Sequence, residues 1–153
     1  MATPEERIAE LGLTLPEVVP PVASYVPTVL SGDHVYVSGQ LPFVDGKLPA
    51  TGKVGAEVDA RTAQELAAVC VLNGIAAVRA EIGDLSKVVR VVKVGGFVAS
   101  APDFTGHPGV INGASDLLGQ IFGEAGVHAC AAVGVAALPL DSPVEVDMIV
   151  EVR

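Results

Sequence analysis

An α+β fold, with a mixed sheet and two helices on one face, is what this sequence predicts, on three observations. The apolar residues change period along the chain in the order strand, strand, helix, strand, helix, strand, strand. Residues Pro143 to Glu151 alternate strictly, with Val144, Val146, Met148 and Val150 set against Glu145, Asp147, Ile149 and Glu151. Residues 59–82 instead carry an apolar stripe at three- and four-residue steps. With 153 residues, 50% of them apolar, the chain can bury one core. It reads as a single domain spanning 1–153, of which 1–20 form an N-terminal extension.

Residues 4–12 predict a short helix, with Pro4 early and Ile8, Leu11 and Leu13 spaced for one face. Pro16, Pro20 and Pro21 forbid regular helix or central strand, so 14–24 reads as an extended lead-in. Tyr25 to Leu30 reads as a strand, Ser31-Gly32-Asp33 as its turn and His34 to Ser38 as the return. On that return, His34, Tyr36 and Ser38 alternate with Val35 and Val37. Gly39 and Gln40 lead into a Pro/Gly-rich loop through about Gly55, of a length that often carries function.

Asp59 can cap the first long helix and Gly83 can end it. Its stripe is Ala63, Leu66, Ala67, Cys70, Gly74, Ala77 and Val78, so Cys70 reads as a core thiol. Ser86 to Ser100 forms a long strand, in which Gly95-Gly96 marks a bulge or a close contact. The second helix runs from about Gly109 to Gly123 and turns Val110, Ala114, Leu117, Leu118 and Ile121 inward.

His128 to Pro139 is the penultimate strand. One face carries Ala129, Ala131, Val133, Val135 and Ala137; the other carries His128, Cys130, Ala132, Gly134 and Ala136. Such small residues mark a close backbone approach or a ligand, and the only reactive groups among them are a thiol and an imidazole. We expect this small face to join His34, Tyr36 and Ser38 on the side of the sheet that the helices leave open. A partner subunit is the natural cover there.

Composition narrows the function. The net charge of −9, with 9 Lys+Arg and no basic run, repels phosphate backbones, so no nucleic-acid partner is expected. No apolar run reaches about 18 residues, so no membrane span is expected. The N-terminal residues lack the basic and apolar regions of a signal peptide. Cys70 and Cys130 lie far apart, outside any metal-type spacing, which predicts free thiols in a reducing cytoplasm. A mean hydropathy of +0.54 with 4% aromatics fits tight Ala, Val and Gly packing and subunit association. The chain has no GxxxxGK[ST] loop, no GxGxxG after a strand and no GxSxG elbow. His34, His107 and His128 share no ligand spacing with the cysteines, so neither metal nor cofactor is expected.

The run from Cys130 to Val146, C-A-A-V-G-V-A-A-L-P-L-D-S-P-V-E-V, resembles the signature of the RidA/YjgF family of enamine/imine deaminases. That signature has the form A-R-S-x-V-x-V-x-x-L-P…V/I-E-I/M. Ser24-Tyr25-Val26, V-Y-V-S-G-Q from Val35 to Gln40, Asn73, Phe97 in G-F-V and Asn112 in V-I-N-G-A also match, so the similarity covers roughly residues 20–153. The branch it is most similar to often carries the label endoribonuclease or translation inhibitor. The resemblance implies a chorismate-mutase-like two-layer sandwich, a homotrimer with clefts between subunits, and hydrolysis of a small enamine or imine.

In the family's deaminases an arginine on the penultimate strand clamps the substrate carboxylate, and a glutamate on the last strand helps position the attacking water. The glutamate's place, six past Pro139, is Glu145. The arginine's place, nine before Pro139, is Cys130, which is the main departure. Losing such a charge-assisted interaction removes about 1.5–3 kcal/mol. Tyr25, Ser38, Gly39, Phe97 and Asn112 are implied as substrate-binding residues, with His128 beside Cys130 on one strand face.

Three readings of Cys130 stay open. It is a small apolar filler in a cleft that is inactive or only binds a small neutral ligand, as in a non-catalytic ligand-binding trimer; or a nucleophile near His128, which is about 6.6–6.8 Å along the strand; or a neighbour of a deaminase site whose substrate has changed. In the third, Glu145 and water do the chemistry and Arg90 is the replacement cation to consider. A surface or interface ion pair is the plainer role for Arg90. Glu145 without the resemblance is an ordinary polar strand residue, like Asp147 and Glu151. Tyr25 and Phe97 without it are packing residues, and His34 and His107 read as surface or loop histidines.

Overall fold

A computed structural model describes residues 2–21 and 23–153; Val22, within the expected lead-in, lies outside them. Helix α1 (Pro4–Glu10) starts at Thr3, whose hydroxyl accepts from the Glu6 N–H at 3.1 Å. Strands β1 (Thr28–Ser31) and β2 (His34–Gln40) form the expected hairpin. β1 starts later than the sequence suggested because Pro27 has no N–H to give to a ladder. Residues 23–25 bend instead, and Tyr25 stays 46% exposed.

Helix α2 (Ala60–Ile82) fills the span between its two expected stops. The Asp59 carboxylate accepts from the Thr62 N–H at 2.7 Å, and Gly83 ends the helix at φ +86°, a conformation L side chains rarely adopt. A 3-10 turn at Leu85–Lys87 comes before β3 (Val88–Ala99). Helix α3 (His107–Phe122) begins two residues earlier than expected, because Pro108 is well suited to a first turn. Strands β4 (Ala129–Val135) and β5 (Val144–Val152) complete the chain.

The five strands form one mixed sheet in the order β1-β2-β5-β3-β4, in which only β3 and β4 run parallel. Helices α2 and α3 pack against each other and against the sheet, and α1 docks on α3. The core lies between the layers. Val35, Val37, Val91, Val94, Val98, Val144, Val146, Met148 and Val150 meet the stripes of α2 and α3. Ile111 of α3 lies against Gly96, so that half of the Gly95-Gly96 pair is the close contact the sequence allowed for. Among the described residues no helix is long and apolar enough to cross a membrane.

One expectation is overturned. The small face of β4 does not look out with His34 and Tyr36. The parallel register pairs Cys130 with Val94, Ala132 with Gly96 and Gly134 with Val98, and Val94 and Val98 are fully buried on the helix side. His128, Cys130, Ala132 and Gly134 therefore turn towards α3, and Gly134 is small because the His107 ring lies over it. The open face instead carries Ala129, Ala131 and Val133 of β4 beside Lys93, Gly95 and Phe97 of β3.

Candidate functional site

The last turn of β2 and the first residues of β5 build a cleft. The ladder between them slips after Val37↔Met148 and resumes at Gln40↔Val146, and this irregularity re-aims Ser38 and Gly39. Val19, Pro20, Pro21 and Tyr25 from the lead-in, Leu41 and Phe43 from the following loop, and Pro139 form the walls with Ser38, Gly39 and Glu145. The Ser38 hydroxyl donates to the Val26 carbonyl at 2.6 Å and ties the lead-in to β2. Asn73, buried on α2, donates to the carbonyls of Leu41 and Phe43 at 3.1 Å each and fixes the loop. The Lys53–Asp141 pair at 2.8 Å anchors the same loop to the turn that carries Pro139.

Glu145 is the chemical centre of this cleft. Its carboxyl lies so close over Gly39 that any side chain at position 39 would overlap it. Burial pushes its pKa up, and the neighbouring Asp147 carboxylate pushes it further. Phe97 sits directly opposite Glu145 on β3 and shares its face. Two residues along β5, Asp147 lies against Gly95 in the same way as Glu145 lies against Gly39. Burial raises Asp147 as well, while the Gly95 N–H and Lys93 pull it back down.

Tyr25, Ser38, Gly39 and Glu145 thus share one cleft, with Phe97 beside it. The other expected site residues are elsewhere. Asn112 is exposed on α3, and His128 and Cys130 lie at the edge strand, near the same helix. His128 Nδ1 is 2.6 Å from the Gly126 carbonyl, and its Nε2 is 2.9 Å from the Ser115 hydroxyl. A carbonyl only accepts, so Nδ1 carries the proton, and in the neutral ring Nε2 accepts from Ser115. Cys130 is exposed, burial of its thiol pushes the pKa up, and no charged group offsets that. Within one chain Cys130 and Glu145 point to opposite faces of the sheet: Cys130 aligns with Val94 and Met148, and Glu145 with Phe97 and Val133. Arg90 does not reach the cleft, since its guanidinium donates to the Val127 carbonyl at 2.7 Å.

A model of the family described as "YjgF/chorismate_mutase-like, putative endoribonuclease" matches residues 5–152. The chain belongs to this family. It is 45% identical over 148 residues to protein TCP17 of Trypanosoma cruzi, covering 96% of this chain and 92% of that one. The crystal structure of Atu1372 from Agrobacterium tumefaciens, a protein of unknown function, is 52% identical with a TM-score of 0.92. That match covers 98% of this chain and 92% of the other. A Shewanella oneidensis MR-1 structure with the same endoribonuclease description is 34% identical with a TM-score of 0.96, covering 99% and 100%.

This YjgF-family chain also holds groups that the sequence did not single out. Asp147 reads as one of three acidic residues on an alternating strand, and only the register shows it beside Gly95 and next to Glu145 on one face. Ser115 is an unremarked helix residue until the fold sets it against His128. The Val19–Pro21 wall had a signal in its prolines, which marked an extended segment without showing what it crosses.

Proposed function

We propose that this protein is a small-molecule hydrolase of the enamine/imine deaminase type, working as a homotrimer in clefts completed between subunits. The observation that carries this reading is Glu145, a half-buried carboxyl of raised proton affinity set over Gly39 in a cleft walled by Tyr25 and Ser38. Such a group takes a proton and returns it within one turnover. Water attacks the imine carbon and passes a proton to Glu145. Glu145 returns it to the nitrogen, giving a carbinolamine; the carboxylate then carries the hydroxyl proton to the same nitrogen, the C–N bond breaks, and the nitrogen leaves as ammonia. Imine plus water becomes carbonyl plus ammonia.

Two separate groups of residues support a second copy in this reading. Asn112, His128 and Cys130 cannot meet Glu145 inside one chain, so a shared site takes them from a neighbour. The open sheet face leaves Val29, Tyr36 and Val133 at 52%, 47% and 45% exposure, apolar surface that a second copy would cover. Cys130 shapes the site in this reading. A thiol that attacks needs a lowered pKa, and this one is raised. Two free cysteines fit a reducing, cytoplasmic setting. The endoribonuclease description of relatives finds no support in the charges, because phosphate would approach Glu145 and Asp147 on a chain of net charge −9.

The test is ammonia release from imines generated in place by oxidation of amines and of amino acids. The wild-type protein should exceed the buffer control on at least one of the two classes, and Glu145→Gln should remove the excess while keeping the fold. A cleft that merely binds ligand would show no acceleration on either class.

A further inference from the structure

We propose that the Glu145 cleft selects imines or enamines that lack a carboxylate, taken up as small cationic iminium ions with an apolar substituent. This rests on the deaminase reading of the cleft and names its substrate class. Among the described lining residues Glu145 is the only charged side chain; the remainder are apolar, proline, Tyr25, or the uncharged Ser38, Gly39 and Gln40. The next ionisable group on that face is a second carboxylate, Asp147.

None of the cations nearest by sequence and fold lines the cleft. Lys93 faces the same side of the sheet, but it lies four residues from Phe97 along β3, about 13 Å by strand rise. Its field acts on Asp147. Lys53 is paired with Asp141, and Arg90 is bound to the Val127 carbonyl. A substrate carboxylate would therefore sit near two acidic groups, and the described residues with which one chain lines the cleft offer no cation to neutralise it. An iminium nitrogen meets the opposite situation. It pairs with Glu145, while its hydrocarbon part lies against Pro20, Pro21, Phe43 and Pro139. The net charge of −9 draws cations towards the protein and repels anions.

Protonation governs this selection. The groups facing Glu145 are Asp147 on its own strand, Tyr25 from the lead-in and, through the sheet, the buried Cys70 of α2, whose thiol burial and Glu145 both push up. A cation docked on the carboxyl opposes the burial that raises its pKa, so cation binding and ionisation of Glu145 favour each other.

The experiment measures equilibrium binding of two unreactive probes to the whole protein, propylammonium and butanoate, followed by the amide shifts of Gly39 and Glu145. Propylammonium should bind at least tenfold more tightly than butanoate. Its affinity should fall as pH drops through the Glu145 titration. Glu145→Gln should weaken it at least tenfold and Asp147→Asn by a smaller factor, while Glu151→Gln leaves it unchanged. Butanoate binding as tightly as propylammonium, Glu145→Gln without effect, or no binding of propylammonium would each overturn the proposal. Because binding is read rather than turnover, a cleft that prefers cations but releases no ammonia would count against deamination alone.

Discussion

Strands β4 and β5 both flank β3, and the sequence treats them very differently. β5 lies between two strands, and each of its residues has one face in the core and one facing out. Its buried positions, Val144, Val146, Met148, Val150 and Val152, are large, and its outward positions are mostly charged. β4 is an edge strand of Ala, Cys, Val and Gly with little contrast between its faces. Alternation reports a face only where burial differs between the two sides. On β4 both faces are apolar and both are partly exposed, so the pattern is readable as a strand but not as an orientation.

The largest expected effect separates the two strands by chemistry. Glu145→Gln on β5 should lower ammonia release by about 10²–10⁴-fold, the range for a general acid–base group. Cys130→Ala on β4 should change it by less than about threefold, since a thiol of raised pKa contributes little as a nucleophile. Equal losses from the two variants would erase the distinction and restore Cys130 as a reactive group. Gly39→Ala belongs with the first variant. It should cost about 10²-fold by displacing the Glu145 carboxyl while leaving thermal stability nearly unchanged.

A second pair compares the covered and open sides of the sheet. Ile111 is fully buried against Gly96, and Ile111→Ala should cost about 2–5 kcal/mol in denaturant unfolding. Val133 faces the open side, 45% exposed in the single chain. If the subunits share this face in the proposed trimer, Val133→Asp should shift the mass seen by light scattering from trimer towards monomer and leave the secondary structure in place. A trimer that survives this change would mean that the β4 end of the open face is not what the subunits share.

Much of the fold could be read from the chain, for identifiable reasons. Asp59 and Gly83 mark the ends of α2 to the residue, because a capping carboxylate and a left-handed glycine act locally. Pro27 delayed β1 for an equally local reason, one that the Tyr25–Leu30 pattern concealed. The site was harder. Tyr25, Ser38, Gly39 and Glu145 were named through their resemblance to a family, and the structure gathers them in one cleft. Their meeting depends on a ladder slip between β2 and β5 that no local pattern announces. Asp147 carries no local signal, because its importance lies in what stands opposite, Gly95, and register across strands is a non-local property.

The smallest expected effect is on pH-dependent stability, and it bears on the two strand faces directly. Glu145 and Asp147 have raised pKa values in the folded chain, so between the ordinary carboxylate value and the raised one the folded state holds more protons than the unfolded state. Their contribution to stability is therefore fully present at acid pH and is lost as pH rises through the raised values. Asp59 and Asp84 work the other way. Hydrogen bonds from the Thr62 and Ser86 backbones lower them, so their contribution is present above the ordinary value and is lost as pH falls through the lowered one. In melting curves, Glu145→Gln should gain on wild type as pH is raised from about 4 to 7, since an uncharged side chain escapes the cost of a buried negative charge. Asp59→Asn should lose ground to wild type below that interval, as pH rises towards the ordinary carboxylate value, and hold level above it. A Glu145→Gln difference that stays constant with pH would mean that this carboxyl is no harder to ionise in the folded chain than in the unfolded one. The cleft would then lack the raised proton affinity on which the acid–base reading of Glu145 rests.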